Sequence, residues 1–379
     1  MNGCSHPVWR RWPSSTRPKA DGWRLCAAGP DSFRAFIDRT HFAPRLDTGW
    51  REPFAKERSL PFGIARRRSN SSGVQYMSAV NFTEVVFQTP RRVCHSIWDG
   101  LPGAITQTRA MRRFGKFIYR RFTRNTVRIQ SHYTQFMRNP PLLDVLARLL
   151  SAYQIGSTVK LASIGCSTGA ELYSALYVLR RARPDLSILA TGVDISSEVV
   201  KAAERGIYCP GQSAAINGLY LEGRPEVFRE DINALGEVLE VQHGGTLRVQ
   251  DWLRKDTNWL TADATEVGLA ATLGPHNIVL ANNVMGPMDD PFAEVCLRNV
   301  MNLVEPGGYL VVDGIDLDLK TRVLATSDFK PVLLRQEDVW TADGSKDGWP
   351  WVRWGREPLD WTEPCWELRY SIIFQRARV

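Results

Sequence analysis

Apolar and polar positions alternate in blocks from Lys160 to the C-terminus. Short apolar runs at 159–164, 188–193, 258–262, 277–281 and 308–313 have the length of strands. Between them, 170–183, 196–205 and 290–303 carry apolar residues at helical spacing, as in Leu172, Leu176 and Leu179. Strand and helix in alternation predict an α/β fold, a parallel sheet with helices on both faces. Pro331–Arg335 and Leu368–Phe374 read as a sixth and a seventh strand. Val238–Val249 alternates around Gly244-Gly245 and reads as a β-hairpin. Upstream, 105–130 reads as a helix with Met111, Phe114, Phe117, Ile118 and Phe122 on one face and arginines between them.

The first strand runs into Gly165-Cys-Ser-Thr-Gly169, and a helix opens directly after it. A strand, a glycine turn and a helix N-terminus form a unit in which backbone approaches a nucleotide-like ligand closely, since glycine has no Cβ. The second strand ends in Asp194, where a carboxylate would hold a ribose diol. The turn lacks the Gly-x-Gly-x-x-Gly pattern, which argues against a nicotinamide oxidoreductase.

Several segments together resemble the CheR-type chemotaxis receptor methyltransferases. These are Gly-Cys-Ser-Thr-Gly-x-Glu-x-Tyr-Ser at 165–174, Asp194-Ile195-Ser196, Ala-x-x-Gly206-Ile-Tyr208, Thr134-x-Phe-Met-Arg138, Asn282-Asn283-Val284 and Pro306-Gly-Gly308. The resemblance spans about residues 105–335, in order. It implies a seven-stranded, Rossmann-like class I methyltransferase sheet ending in an antiparallel hairpin. A small helical region precedes the sheet and a β-hairpin is inserted at about 211–257.

The resemblance also implies S-adenosylmethionine as cofactor. Gly165 and Gly169 would lie under its methionine part, and Cys166, Ser167 and Thr168 would offer amides to its carboxylate. Glu171 matches a cofactor-contacting acid, or is a favourable charge at a helix N-terminus. Asp194 and Ile195 would meet the ribose, Asp263 and Ala264 the adenine, and Asn282 and Asn283 the methyl end; each polar one is otherwise a strand cap. Thr134 and Arg138 match positions beside the cofactor, and Arg138 is otherwise an ordinary ion pair. His132 stands where the family often has Asn. Arg138 and Asn283 are the catalytic candidates.

The acceptor side departs from the family. Its tyrosine near the methyl is replaced by Pro287, and its histidine after the fifth strand is missing from Gly314-Ile-Asp316. The expected activity is methyl transfer to an O or N acceptor. The alternatives are a protein-glutamate O-methyltransferase acting on a chemoreceptor-like protein and a non-catalytic cofactor- or partner-binding module. Six of 13 tryptophans crowd into a segment at about 338–366, between the last two strands. It reads either as an aromatic lid over a small acceptor or as a satellite core.

Composition adjusts this picture. The net charge of +8 lies in residues 1–76, with 14 Lys/Arg and 6 Asp/Glu; the rest holds 34 of each sign. That leader, rich in Arg, Trp, Pro and Ser, reads as disordered or over-extended. Met77 reads as an ordinary start, followed by a helical region to 155 and the cofactor-binding domain over 156–379. The arginines of 109–128 suggest a solvated face or a surface for an acidic partner or anionic membrane. No nucleic-acid partner is expected. Seven cysteines without a Cys-x-x-Cys pair suggest no disulfide framework, no metal site and a cytoplasmic setting.

Overall fold

The computed structural model describes residues 92–126, 132–208, 215–216, 219–220, 235–243 and 245–378. The leader 1–76, Arg128, Gly244 and most of the insertion from 211 to 234 lie outside the described residues. Two compact units divide the chain. Residues 92–106, with helices at 92–99 and Gly103–Thr106, belong to one. The described residues from Gln107 onward belong to the other.

The second unit is built on seven strands: β1 (Thr158–Ile164), β2 (Ser187–Asp194), β3 (Thr257–Thr261), β4 (His276–Asn282), β5 (Val304–Asp313), β6 (Phe329–Pro331) and β7 (Ile373–Arg376). Their order across the sheet is β6-β7-β5-β4-β1-β2-β3. β1 to β5 are mutually parallel, and β7 runs antiparallel to β5 and to β6. The carboxyl ends of β1 to β5 therefore share one edge. Register fixes their neighbours there: Ile164 pairs with Val193, Asp194 with Thr261, and Asn282 with Asp313.

The helices are α1 (Arg109–Ile118), α2 (Pro140–Leu149), α3 (Ala170–Ala182), α4 (Ser197–Arg205), α5 (Asp290–Asn302), α6 (Leu317–Ala325), α7 (Gln336–Thr341) and α8 (Trp366–Tyr370). The starts of α1, α2, α5 and α6 are set by side chains that accept orphan amides. Asn139 accepts from Leu142 N at 3.1 Å ahead of Pro140 and Pro141, Asp289 from Phe292 N at 3.2 Å, and Asp316 from Leu319 N at 3.1 Å. α3 buries Leu172, Leu176 and Leu179 completely. Over the sheet, Val279, Ala281, Leu310 and Val312 pack with Leu297 and Val300 of α5 and Val323 of α6 into a continuous core.

Three expectations shift. β5 begins at Val304 because the Pro-Gly-Gly turn is absorbed as an irregularity between Val304 and Tyr309 rather than ending the pairing. β6 lies at Phe329–Pro331, and Arg335, at φ 53°, turns the chain into α7. Leu368–Tyr370 are helical, because Arg369 and Tyr370 are drawn onto Glu357. The hairpin forms as Leu239–Val241 against Leu247–Val249, and Ile207–Tyr208 joins it as a third strand.

α1 buries Ile118 of the expected apolar face but not its phenylalanines. Phe114 and Phe117 are exposed and stack on each other, and Gly115 and Ile118 are buried. A Cβ on Gly115 would lie 2.1 Å from Cη2 of Trp349, so the missing side chain is what seats that indole. The cations turn inward: Lys116 pairs with Glu363 (2.7 Å) and Glu357 (3.0 Å), and Arg124 with Asp290 (2.5 Å) and Asp316 (3.2 Å). The helical period located the apolar stripe but not the acids that this stretch meets more than 160 residues later.

Candidate active site

The glycine turn is held from all sides. Gly165 and Gly169 have φ of 68° and 92°, a region open to glycine at little cost. Ser167, at φ 50°, is a strained non-glycine exception. It is pinned by its own groups: its N–H donates to Asp194 Oδ2 at 2.9 Å and its Oγ to the His132 carbonyl at 2.6 Å. Tyr208 donates to the Thr168 carbonyl at 2.7 Å. Trp259 fills the space beneath: a Cβ on Gly169 or Gly192 would lie 2.9 Å or 2.3 Å from its ring.

One expectation about this turn is corrected. The Cys166 amide donates to the Val193 carbonyl at 2.9 Å and the Ser167 amide to Asp194, so two of the three amides assigned to a ligand carboxylate are committed within the protein. The tight turn brings them onto β2 instead. Cys166 is buried, and burial pushes its thiol well above the usual range, away from the thiolate form a nucleophile needs.

Asp194 is buried at the tip of β2. Its second oxygen accepts from Ser196 N at 3.0 Å. Each carboxylate oxygen has a second lone pair, so both amides and a diol can be served together. Ile195 beside it is 55% exposed, an apolar surface at a strand tip. At the end of β3, Asp263 accepts from Thr265 N and Oγ at 2.8 Å each, a local cap, and Ala264 is buried.

Glu171 and Asn282 meet across the edge. Asn282 Nδ2 donates to Glu171 Oε1 at 2.6 Å, and Ser163 Oγ approaches the other oxygen at 3.5 Å. Burial raises the Glu171 carboxyl, while Asn282 and Arg138 work against that. The Asn282 Oδ1 atom is buried and has no hydrogen-bond partner among the described residues. A carboxylate and an orphan amide oxygen together form a site for an ammonium. That donor set fits the methionine end of S-adenosylmethionine, as Asp194 and Ile195 fit its nucleoside end.

Arg138 lies at the same edge, where its charge acts on Glu171. Its Nε donates to Asp343 at 3.0 Å, one terminal nitrogen to Ser345 Oγ at 2.5 Å, and it stacks on Tyr133. Thr134 is buried. Asn283, at φ 62°, donates its backbone N–H to the Asp313 carbonyl at 2.8 Å. Among the described residues, three of the six non-glycine residues at positive φ, Met137, Ser167 and Asn283, belong to this edge or to segments bonded to it.

The tryptophan-rich segment both packs and encloses. Trp340 and Trp351 are buried, Trp340 stacks edge-on with Tyr370, and Trp354 occupies the space a Cβ on Gly286 would need. Together with the tip of β5 it lines a small recess open to solvent, about 60 Å³ in volume. Asp313, at that tip, pairs with Lys346 Nζ and an Arg356 terminal nitrogen at 2.6 Å each. Burial raises the Asp313 carboxyl, but Arg356 and Lys346 outweigh it and hold it well below the usual range.

Sequence reasoning missed Asp313, Lys346, Arg356 and Lys320. A signal existed for Lys320, which interrupts the apolar face Leu319–Val323–Leu324; none marked the other three.

Residues 132–317 match the family described as CheR methyltransferase, SAM binding domain. A relative from Pseudomonas aeruginosa, described as the probable biofilm formation methyltransferase WspC, is 26% identical over 191 residues, covering 49% of this chain and 42% of its own. The chain thus spans less than half the length of that curated relative. Among solved structures, magnesium protoporphyrin IX methyltransferase from Synechocystis is similar at 14% identity and a TM-score of 0.28, over 50% of this chain and 69% of its own. PKMT2 from Rickettsia typhi is similar at 16% identity and a TM-score of 0.27, over 48% of this chain and 26% of its own. Sheet order, glycine turn and family match agree: residues 132–317 form a domain similar to the S-adenosylmethionine-binding domain of the CheR methyltransferases.

Proposed function

We propose that this protein transfers a methyl group from S-adenosylmethionine to an oxygen or nitrogen of a small acceptor. When bound, the cofactor would supply a sulfonium methyl for in-line attack by an acceptor lone pair, the thioether sulfur leaving with the electrons of the broken bond. A carboxylate acceptor has no proton to lose, and a hydroxyl or amine gives up one.

On this reading Glu171 and Asn282 bind the cofactor ammonium and Asp194 the ribose. Asn283, fixed by its bond to Asp313, positions the acceptor side. The remaining acceleration comes from near-attack geometry between two bound reactants. No described group is placed as a strong general base, which suits an acceptor that is already anionic or needs little deprotonation.

The observation that carries the small-acceptor reading is the walled recess directly beyond Asn283. Pro287 and the absent histidine are consistent with an acceptor side rebuilt around it. The test is transfer of radiolabelled methyl from S-adenosylmethionine by the full chain to a panel of small carboxylates, phenols and amines, beside a glutamate-containing peptide. Labelling of a small molecule is expected; labelling of the peptide alone would favour the protein-glutamate reading.

A further inference from the structure

The two faces of α1 meet different surroundings. Its inner face is bound within the chain: Arg112 donates to the Leu359 carbonyl, Lys116 pairs with Glu363 and Glu357, and Gly115 seats Trp349. The π-helical turn that continues α1, Tyr119–Thr123, is held the same way, Thr123 Oγ1 donating to the Pro350 carbonyl at 2.7 Å. The outer face is Ala110, Arg113, Phe114 and Phe117, at i, i+3, i+4 and i+7, one stripe of a helix, and all four are exposed. Phe114 is 45% and Phe117 59% exposed, and their rings stack with centroids 6.4 Å apart. Arg109 and Arg121 are exposed beside the stripe.

Charge decides what such a stripe can meet. No Asp or Glu occurs between Asp99 and Asp144. Lys116, Arg120 and Arg124 are each paired with an acid from the far part of the chain, whereas Arg109 and Arg113 form no ion pair among the described residues. Two aromatic rings rimmed by guanidinium groups complement a surface that is anionic outside and apolar just beneath. Size decides between lipid and protein. About half of each phenylalanine is exposed, which together gives roughly 200 Å² of apolar surface. A stable protein interface buries about 800 Å² per partner. A bilayer needs no matching groove and accepts aromatic rings at its interface. No helix among the described residues is long and apolar enough to cross a membrane, so the contact is peripheral.

We infer that the Phe114–Phe117 face of α1 docks on an anionic lipid bilayer, with both rings in the interface and Arg109 and Arg113 on the head groups. Lys116, on the far side of the same helix, lines the recess, so docking holds the recess one helix diameter, roughly 10 Å, from the lipid. The docking surface stands whatever the methyl acceptor is, since none of its residues belongs to the cofactor edge.

The test is flotation of the full chain with vesicles of phosphatidylcholine alone and of phosphatidylcholine mixed equally with phosphatidylglycerol. Binding to the mixed vesicles about tenfold or more tighter than to the neutral ones, and weakened by salt, is expected. Phe114→Ser with Phe117→Ser, and separately Arg109→Gln with Arg113→Gln, should each weaken it about tenfold. All four positions are exposed, so both variants should keep the parent melting temperature, which separates lost docking from a lost fold. The segment 1–76, with its net charge of +8, also attracts anionic vesicles, and binding held by it alone would survive in both variants. Unchanged binding by either variant, equal binding to neutral vesicles, or no binding by the folded parent overturns the inference. No vesicle binding, together with binding of an acidic helical peptide that the same variants lose, would overturn it in favour of a protein partner.

Discussion

Asn282 donates to Glu171 at 2.6 Å and ties the tip of β4 to the first turn of α3, across 111 positions of sequence. The bond holds a carboxylate, its own pKa raised by burial, beside an amide oxygen that has no partner of its own. Glu171→Gln should therefore weaken S-adenosylhomocysteine binding by about ten- to a hundredfold, the worth of a charge-assisted hydrogen bond. In the parent protein, affinity should fall as pH drops through the raised Glu171 pKa, since the protonated acid no longer attracts an ammonium. Its effect on folding has the opposite sign: a carboxyl raised on folding lowers stability as pH rises from its unfolded value through the folded one. Calorimetry across pH on both proteins checks the two slopes, and equal affinity at all pH values would count against the ammonium site.

Gly165 has φ 68°, and a Cβ there would lie 2.7 Å from Cβ and Cγ2 of Val284. Gly165→Ala should cost about 2–4 kcal/mol, combining left-handed strain with overpacking. Val284→Ala removes the Cγ2 contact but leaves the Cβ contact and the strain, so the double variant should recover part of the loss. Denaturant melts of the set measure the coupling; strictly additive losses would contradict the packing account.

Lys320 gives stability a pH slope. A lysine lowered to about 7 in the folded state binds fewer protons there than in the unfolded chain, so its contribution rises with pH above about 7 toward its unfolded value. Below about 7 its desolvation cost, on the order of a few kcal/mol, is fully expressed. Lys320→Met should raise the melting temperature at pH 6 and flatten the rise between pH 7 and 10. A lower melting temperature at pH 6 would mean that the Ser371 and ring contacts outweigh desolvation.

Gly115→Ala should displace Trp349, since the new methyl would meet its ring at 2.1 Å. The recess wall should change while the cofactor edge stays intact. Intrinsic tryptophan fluorescence is expected to change with S-adenosylhomocysteine affinity unchanged, and a loss of that affinity would mean that the recess wall and the cofactor edge are not separable.

The cofactor half of this protein is legible in its sequence because its determinants are local. Gly165 to Glu171 are contiguous, Asp194 ends a run with strand periodicity, and each position follows from where a strand must stop. The acceptor half is not, because it depends on partners distant in sequence. Lys116 meets Glu363, Gly115 meets Trp349, and Asp313 meets Lys346 and Arg356, pairings that no period encodes. The same distance explains why α1 turns its phenylalanines outward and why Arg369, bound to Glu357, ends a helix where a strand pattern was read.

The most direct measurement is calorimetric titration of the full chain with S-adenosylmethionine and S-adenosylhomocysteine, beside an Asp194→Ala variant whose fold is checked by circular dichroism. Asp194 joins the glycine turn to the tip of β2 through two amides, at 2.9 and 3.0 Å, and is the proposed ribose ligand. Micromolar binding by the parent, reduced at least thirtyfold in a folded variant, is the predicted result. A folded parent that binds neither compound, or a variant that binds both as tightly as the parent, would contradict the account.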